Sequence, residues 1–219
     1  LFDHSTIIST QDRDQLPFDK KTEVVIVRNG VELDAFQPTD EAKSVDVLFA
    51  GNMGYPPNVE AAIFLEKEVM PLVRKDLPKA KLMLAGARPD QKVKDLKSEH
   101  TEVTGWVDDM RDCYAKAKVF VAPMMIGTGL QNKLLEAMAM KIPCVTSSLA
   151  NNALQAQSDK EILIGSKANE YAQHILELLN DPKKADTLAE AGFQLVKNKF
   201  SWEGATRPLL ESLELKGED

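Results

Sequence analysis

The amino-acid sequence predicts an α/β protein, a parallel sheet with helices on both faces. Short apolar runs alternate with longer segments of helical periodicity along most of the chain. Several of these runs are apolar throughout instead of alternating, which is how strands buried on both faces read. Four of them lead into loops opened by Gly or Pro, the punctuation of a strand-to-helix turn.

Taken in order, a short apolar segment from Thr6 to Ser9 precedes a polar stretch. Val24 to Val27 reads as a strand, and Asn29-Gly30 is a turn signal. The run VDVLFA, Val45 to Ala50, is strongly strand-like and enters GNMGYPPN. Val59 to Val73 has apolar residues at helical spacing behind Pro56 and Pro57, which predicts a helix of about four turns. Lys81 to Gly86 is the next strand, ARPDQKVKDLKSEH offers a short helix, and Glu102 to Gly105 is a strand. WVDDMRDCYAKA reads as a helix capped by Asp108 or Asp109. Lys118 to Pro123 and Ile142 to Ser147 are strands on either side of another helix, and Glu161 to Gly165 is a last, short strand. Three helices follow: Asn169 to Leu179, Lys183 to Lys197 and Trp202 to Leu213.

The 219 residues suffice for one large domain, or for one domain and part of another. Lys and Arg number 27 against 34 Asp and Glu, a net charge of −7 with no dense basic tract, which disfavours nucleic acid as a partner. A phosphate ligand needs only a local positive site and is not excluded. No apolar run approaches the roughly 20 residues of a membrane span. The chain begins without Met and without a signal-peptide layout, and reads as an excised fragment. Cys113 and Cys144 form no CxxC and read as buried thiols of a reducing compartment. His4, His100 and His174 are isolated, and there is no HExxH or metal-ligand cluster, so neither a catalytic base nor a metal site can be named.

The stretch from Met125 to Val145 is what the chain is organised around. Gly127-Thr128-Gly129 gives a permissive backbone before a helix, with Thr128 as N-cap. Leu130, Leu134, Ala137 and Met138 form an apolar face, while Asn132, Lys133 and Glu136 fall together opposite it. The amide N–H groups of such a helix start suit an anion such as a diphosphate, and Glu136 further along can accept from sugar hydroxyls. The plain alternative is a core helix with a solvated charged stripe. In an open parallel sheet ligands lie beyond the carboxyl ends of the strands. The loops there are Gly51 to Asn58, Gly86 to Asp90, Gly105 to Asp109 and Pro123 to Gly129, which can converge on one ligand.

These residues carry a resemblance. NGVELDAFQP, FAGNMGYPPN, VTGWVDDM, VFVAPMMIGTGL and above all QNKLLEAMAMKIPCV resemble the C-terminal, donor-binding half of retaining family 4 (group 1) glycosyltransferases of GT-B fold. The likeness is strongest to bacterial enzymes of polysaccharide and exopolysaccharide assembly, and runs from about Val24 to the end. FSWEGATRPLLESL resembles the Trp-led final helix of that domain. LFDHSTIISTQDRDQL resembles the last segment of the acceptor domain before it. Residues 1–20 would then end or link that missing N-terminal domain, and 21–219 would form the Rossmann-like nucleotide-sugar-binding domain.

The resemblance implies transfer of a hexosyl group from a nucleotide-diphosphate sugar to a glycan or lipid-linked acceptor, held by the N-terminal domain. It implies no cofactor and no metal, a cytoplasmic enzyme or one peripheral at the inner membrane, and no transfer by this fragment alone. Residue by residue, it places Glu136 on the ribose hydroxyls and the backbone of Thr128, Gly129 and Leu130 on the diphosphate. Trp106, Val107 and Met110 would lie against the base, and Gly51, Asn52 and Gly54 near the phosphates. Three positions depart from the family pattern. Thr128 stands where a second Glu contacts the transferred sugar, and Asn52 and roughly Asn58 stand where an Arg and a Lys face the diphosphate. Lys133 is the candidate to restore part of that charge, against the alternative that it pairs with Glu136 at i,i+3. Two other readings are a nucleotide-sugar epimerase of related fold and a non-catalytic nucleotide-binding domain.

Overall fold

The computed structural model describes residues 5–19, 23–126 and 129–214. Two short strands, β1 (Thr6–Ile7) and β2 (Val25–Ile26), form a parallel pair of their own. The main sheet has six strands: β3 (Val45–Ala50), β4 (Leu82–Ala85), β5 (Thr101–Gly105), β6 (Ala117–Ala122), β7 (Cys144–Thr146) and β8 (Leu163–Ile164). Their order is β5-β4-β3-β6-β7-β8, and every neighbouring pair is parallel. All four residues of β4 and five of the six in β3 and in β6 are buried, so the continuous apolar runs do mark strands covered on both faces.

The strand order decides where a ligand can go. From β3 the chain steps outward through β4 to β5, then returns to lay β6 on the other side of β3 and continues through β7 to β8. The connections after β3 and after β6 therefore leave in opposite senses, and a crevice opens between them at the carboxyl end of the sheet. Helices α2 (Pro56–Phe64) and α3 (Met70–Asp76) follow β3, α4 (Gln91–Lys94) follows β4, and α5 (Arg111–Ala115) follows β5. Helix α6 (Asn132–Ala139) follows β6; α7 (Ser148–Leu154) follows β7. Helices α8 (Ala168–Asn180), α9 (Pro182–Lys199) and α10 (Trp202–Glu214) complete the described chain, with α8 packed on α3 and α9 on α6. Among the described residues no helix is long and apolar enough to cross a membrane.

Several local expectations are corrected. The segment predicted as one helix from Val59 to Val73 is helical from Pro56 to Asp76 but is broken by a π turn at Leu65–Val69, where Met70 N–H donates to Leu65 O. Pro71 explains it: proline has no N–H and its ring crowds the carbonyl four residues back, so the ladder widens just before it. The widened turn carries Glu66, whose carboxylate accepts two bonds from Arg74 (2.9 and 3.2 Å) and one from Thr101 Oγ1 (2.7 Å). Gly30 makes no turn. It gives room to Trp202, whose ring a Cβ there would meet at 2.8 Å, and the following residue, Val31, donates to Phe200 O (2.7 Å).

Helix α5 is short and its N-cap is Met110; Asp109 accepts from Arg111 N–H (2.9 Å) and Asp108 accepts from the Trp106 indole instead. Two short helices were not read from the sequence. Ser9 caps α1 (Thr10–Asp14) and Ser147 caps α7, each through its side-chain oxygen.

The tightest backbone approach lies at the crevice. A Cβ on Gly86 (φ +137°) would stand 1.9 Å from Gly51 O, whereas a Cβ on Gly105 (φ +70°) would meet nothing within 4 Å. Gly86→Ala is expected to lower unfolding free energy by roughly 2–4 kcal/mol, strain and overpacking together. Gly105→Ala should lose only about 1–2 kcal/mol, the left-handed backbone penalty alone. Urea melts of the two variants side by side check the difference.

Candidate functional site

Beyond the carboxyl ends of β3, β4 and β5 lies a cleft of about 660 Å³. Gly51 and Asn52 come from the loop after β3, Arg88 from the loop after β4, and Trp106 and Val107 from the loop after β5. Leu130, Lys133 and Glu136 reach it from α6 and the residues before it. The crevice at the sheet's switch point is therefore walled by three of the four loops expected to converge, and by the organising helix.

Helix α6 begins later than predicted. Its N-cap is Gln131, and no side chain caps it. Thr128, expected as the cap, lies outside the described residues along with Gly127. The cap expectation fails because the backbone does not turn helical until Asn132, after Gly129 has taken a left-handed conformation (φ +95°). The apolar face forms as read: Leu134, Ala137 and Met138 are buried and Leu130 is half-buried. Burying that face turns Lys133 and Glu136 to the cleft.

Lys133 sits on the floor. Its Nζ donates to Asn58 Oδ1 (2.6 Å), lies 4.6 Å from the centre of the Phe49 ring, and would be 3.0 Å from a Cβ on Gly51. Loss of water around the amine lowers its pKa to about 8, an effect partly opposed by the Glu136 carboxylate. The alternative i,i+3 ion pair does not form. Glu136 Oε2 instead accepts from the Tyr114 hydroxyl (2.7 Å), and Lys133 is held by Asn58. Burial first, then the neighbouring Glu136, keeps the Tyr114 pKa well above the ordinary phenol value, so the hydroxyl remains a donor. One oxygen of Glu136 is thus engaged, and among the described residues the other accepts no hydrogen bond.

The remaining candidates divide. Asn52 lines the cleft, with its side-chain oxygen accepting from Gly54 N–H (3.1 Å). Gly54 is not among the lining residues; it packs against the backbone of Arg88, whose oxygen a Cβ there would meet at 2.7 Å. Trp106 is 76% exposed on the rim, and Val107 and Met110 are half-buried beside it. Sequence reasoning missed Arg88, Tyr114 and the grip of Asn58 on Lys133. Tyr114 had a readable signal, a phenol in a buried helix position, which needs a partner for its hydroxyl. His174 Nε2 lies 3.1 Å from Ile164 O and His100 is on the loop before β5, both away from the cleft, while His4 lies outside the described residues. Cys113 and Cys144 are free and buried. Among the described residues no group of His, Cys, Asp and Glu is arranged to hold a metal ion.

A family model described as "Glycosyl transferases group 1" matches residues 44–181, more than half of the chain. The chain belongs to that family. Sequence relatives of this chain include a protein of Klebsiella pneumoniae described as an uncharacterized 44.6 kDa protein in the cps region. It is 23% identical over 164 residues, which take in 71% of this chain and 42% of the relative. The fold is shared with HepE of Anabaena, solved with UDP and glucose, at 13% identity and a TM-score of 0.79 over 96% of this chain and 62% of that one. TarM of S. aureus, solved with fondaparinux, alpha-GlcNAc-glycerol and UDP, gives 16%, 0.74, 95% and 43%. Sucrose-phosphate synthase of Thermosynechococcus elongatus gives 19%, 0.75, 100% and 59%. The chain thus spans less than two thirds of each of these proteins.

The amine on the cleft floor gives a prediction of its own. Its folded pKa, about 8, lies below the ordinary lysine value, so between the two the unfolded chain binds the extra proton and stability at this site rises with pH. Lys133→Met removes that titration. The stability of the parent relative to the variant should therefore increase as pH is raised through 8 and beyond, as measured by urea unfolding in a pH series.

Proposed function

We propose that this chain holds the donor of a glycosyl-transfer reaction, a nucleotide-diphosphate sugar, in the cleft between β3 and β6. The observation that carries the reading is the meeting of three groups on one crevice: the uncapped start of α6, the Lys133 amine and the Glu136 carboxylate. A helix start and a desolvated cation suit two phosphates, and a carboxylate with one open oxygen suits the hydroxyls of a ribose. Gly129 and Leu130 bring backbone amides toward the same anion, with Gly51 and Asn52 across from them. Trp106 and Val107 supply the flat, apolar rim that a base would stack on. Family membership supports transferase chemistry, and two structural relatives were solved with UDP.

On this reading Lys133 and the α6 dipole, with no divalent cation, face the leaving diphosphate. The sugar passes to a glycan or lipid-linked acceptor presented by protein outside these residues, so the chain binds donor and nucleoside diphosphate but transfers nothing by itself. The cps-region relative supports a place in polysaccharide assembly.

UDP is the first probe. At about 100 times its dissociation constant it should add about 2.7 kcal/mol, a rise of roughly 5–10 °C in melting temperature. Glu136→Ala should weaken UDP about 10- to 100-fold, the worth of charged hydrogen bonds to the sugar, while leaving 2′,3′-dideoxy-UDP unaffected. Binding of a diphosphate keeps Lys133 protonated, so affinity should fall as pH rises through about 8. A melting temperature unmoved by UDP, GDP and ADP would overturn the assignment.

A further inference from the structure

Among the described residues the cleft is lined by two cations, Lys133 and Arg88, and they are held differently. Lys133 is pinned to the floor by Asn58 and the Phe49 ring. Arg88 is exposed, and among the described residues its guanidinium takes part in no ion pair or hydrogen bond. Of the two acids on the cleft, Asp108 accepts from the Trp106 indole (3.3 Å) and Glu136 from Tyr114 (2.7 Å), so neither neutralises Arg88.

Its backbone is specified closely. Arg88 stands at φ +53°, a left-handed conformation that a residue with a Cβ rarely adopts unless its surroundings impose it. The surroundings do. Met53 N–H donates to Ala87 O (2.9 Å) and Asp90 N–H to Met53 O (3.0 Å), which ties the loop after β4 to the loop after β3. Gly54 leaves the space for the Arg88 carbonyl, which any side chain there would strike. The two loops thus form one rigid rim that carries a cation at the cleft, next to the uncharged Asn52.

We propose that Arg88 is a phosphate-binding residue of this cleft, closing over the diphosphate from the rim while Lys133 meets it from the floor. The charge that Asn52 cannot supply from the loop after β3 is supplied from the neighbouring loop after β4. A guanidinium offers planar, paired donors that match two phosphate oxygens, complementing the point charge of the amine. This inference rests on the reading of the cleft as a nucleoside-diphosphate site.

The test uses calorimetry with UDP, UMP and uridine on the parent chain, Arg88→Asn and Arg88→Lys. Asn tolerates the left-handed backbone, so the rim should be kept, and unchanged melting temperatures of the free variants check this. Arg88→Asn is expected to bind UDP at least 10-fold more weakly, UMP less affected and uridine unchanged, with a flatter salt dependence for UDP. Arg88→Lys should recover part of the loss. Parent and Arg88→Asn binding UDP within twofold of each other would overturn the role of Arg88 and leave the donor reading standing. A folded parent that binds no nucleoside diphosphate would overturn both.

Discussion

The cleft depends on how closely two backbones can pass at the carboxyl ends of β3 and β4. Gly86 has no side chain, so Gly51 can lie against it, its N–H donating to Ala85 O at 2.9 Å. Gly51 in turn has no side chain, and the space it leaves is taken by the Lys133 amine and the Asn58 amide. The floor of the site is therefore a relay of absent Cβ atoms. Each glycine admits the next group, and the last group admitted is a cation that has lost much of its water. The sheet order supplies the opening and the glycines supply the depth.

Electrostatics at the site are local and run against the charge of the whole chain. A protein of net charge −7 repels phosphate at long range, so any attraction must come from groups at the cleft itself. Lys133 is made effective by the same burial that lowers its pKa, because a charge in a dry setting acts more strongly on a second charge brought beside it. Tyr114 works in the opposite sense on Glu136, holding one carboxylate oxygen with a neutral donor and fixing the direction of the other. Groups held in this way are already oriented, which would reduce what binding must reorganise.

Much of this was legible in the sequence because burial writes itself plainly there. The mainly apolar runs at Val45 to Ala50 and Lys118 to Pro123 read as doubly covered strands, and the spacing of Leu134, Ala137 and Met138 put Lys133 and Glu136 on the far side of α6. What escaped were features set by partners distant in the chain. Gly30 looked like a turn because its reason, Trp202, lies at the other end of the sequence. Arg88 was not singled out, because the loop that props it up belongs to another strand. The start of α6 was misplaced because Gly-Thr-Gly has the composition of a cap, while the loop after β6 runs on to Gln131 before turning. Pro71 was readable in principle; its missing N–H was simply outweighed by strong periodicity on both sides of it.

The seating of Trp202 over Gly30, with Val31 bridged to Ser201, joins segments separated by most of the polypeptide. Such a contact closes a very large loop, and that closure carries an entropic cost that local contacts do not. Because α10 follows β2 by so much chain, β2 gains its cover only after α10 has left the ribosome. The joint therefore ties β2 to a helix far along the chain: loosening α10 would uncover Gly30 and free Val31 together.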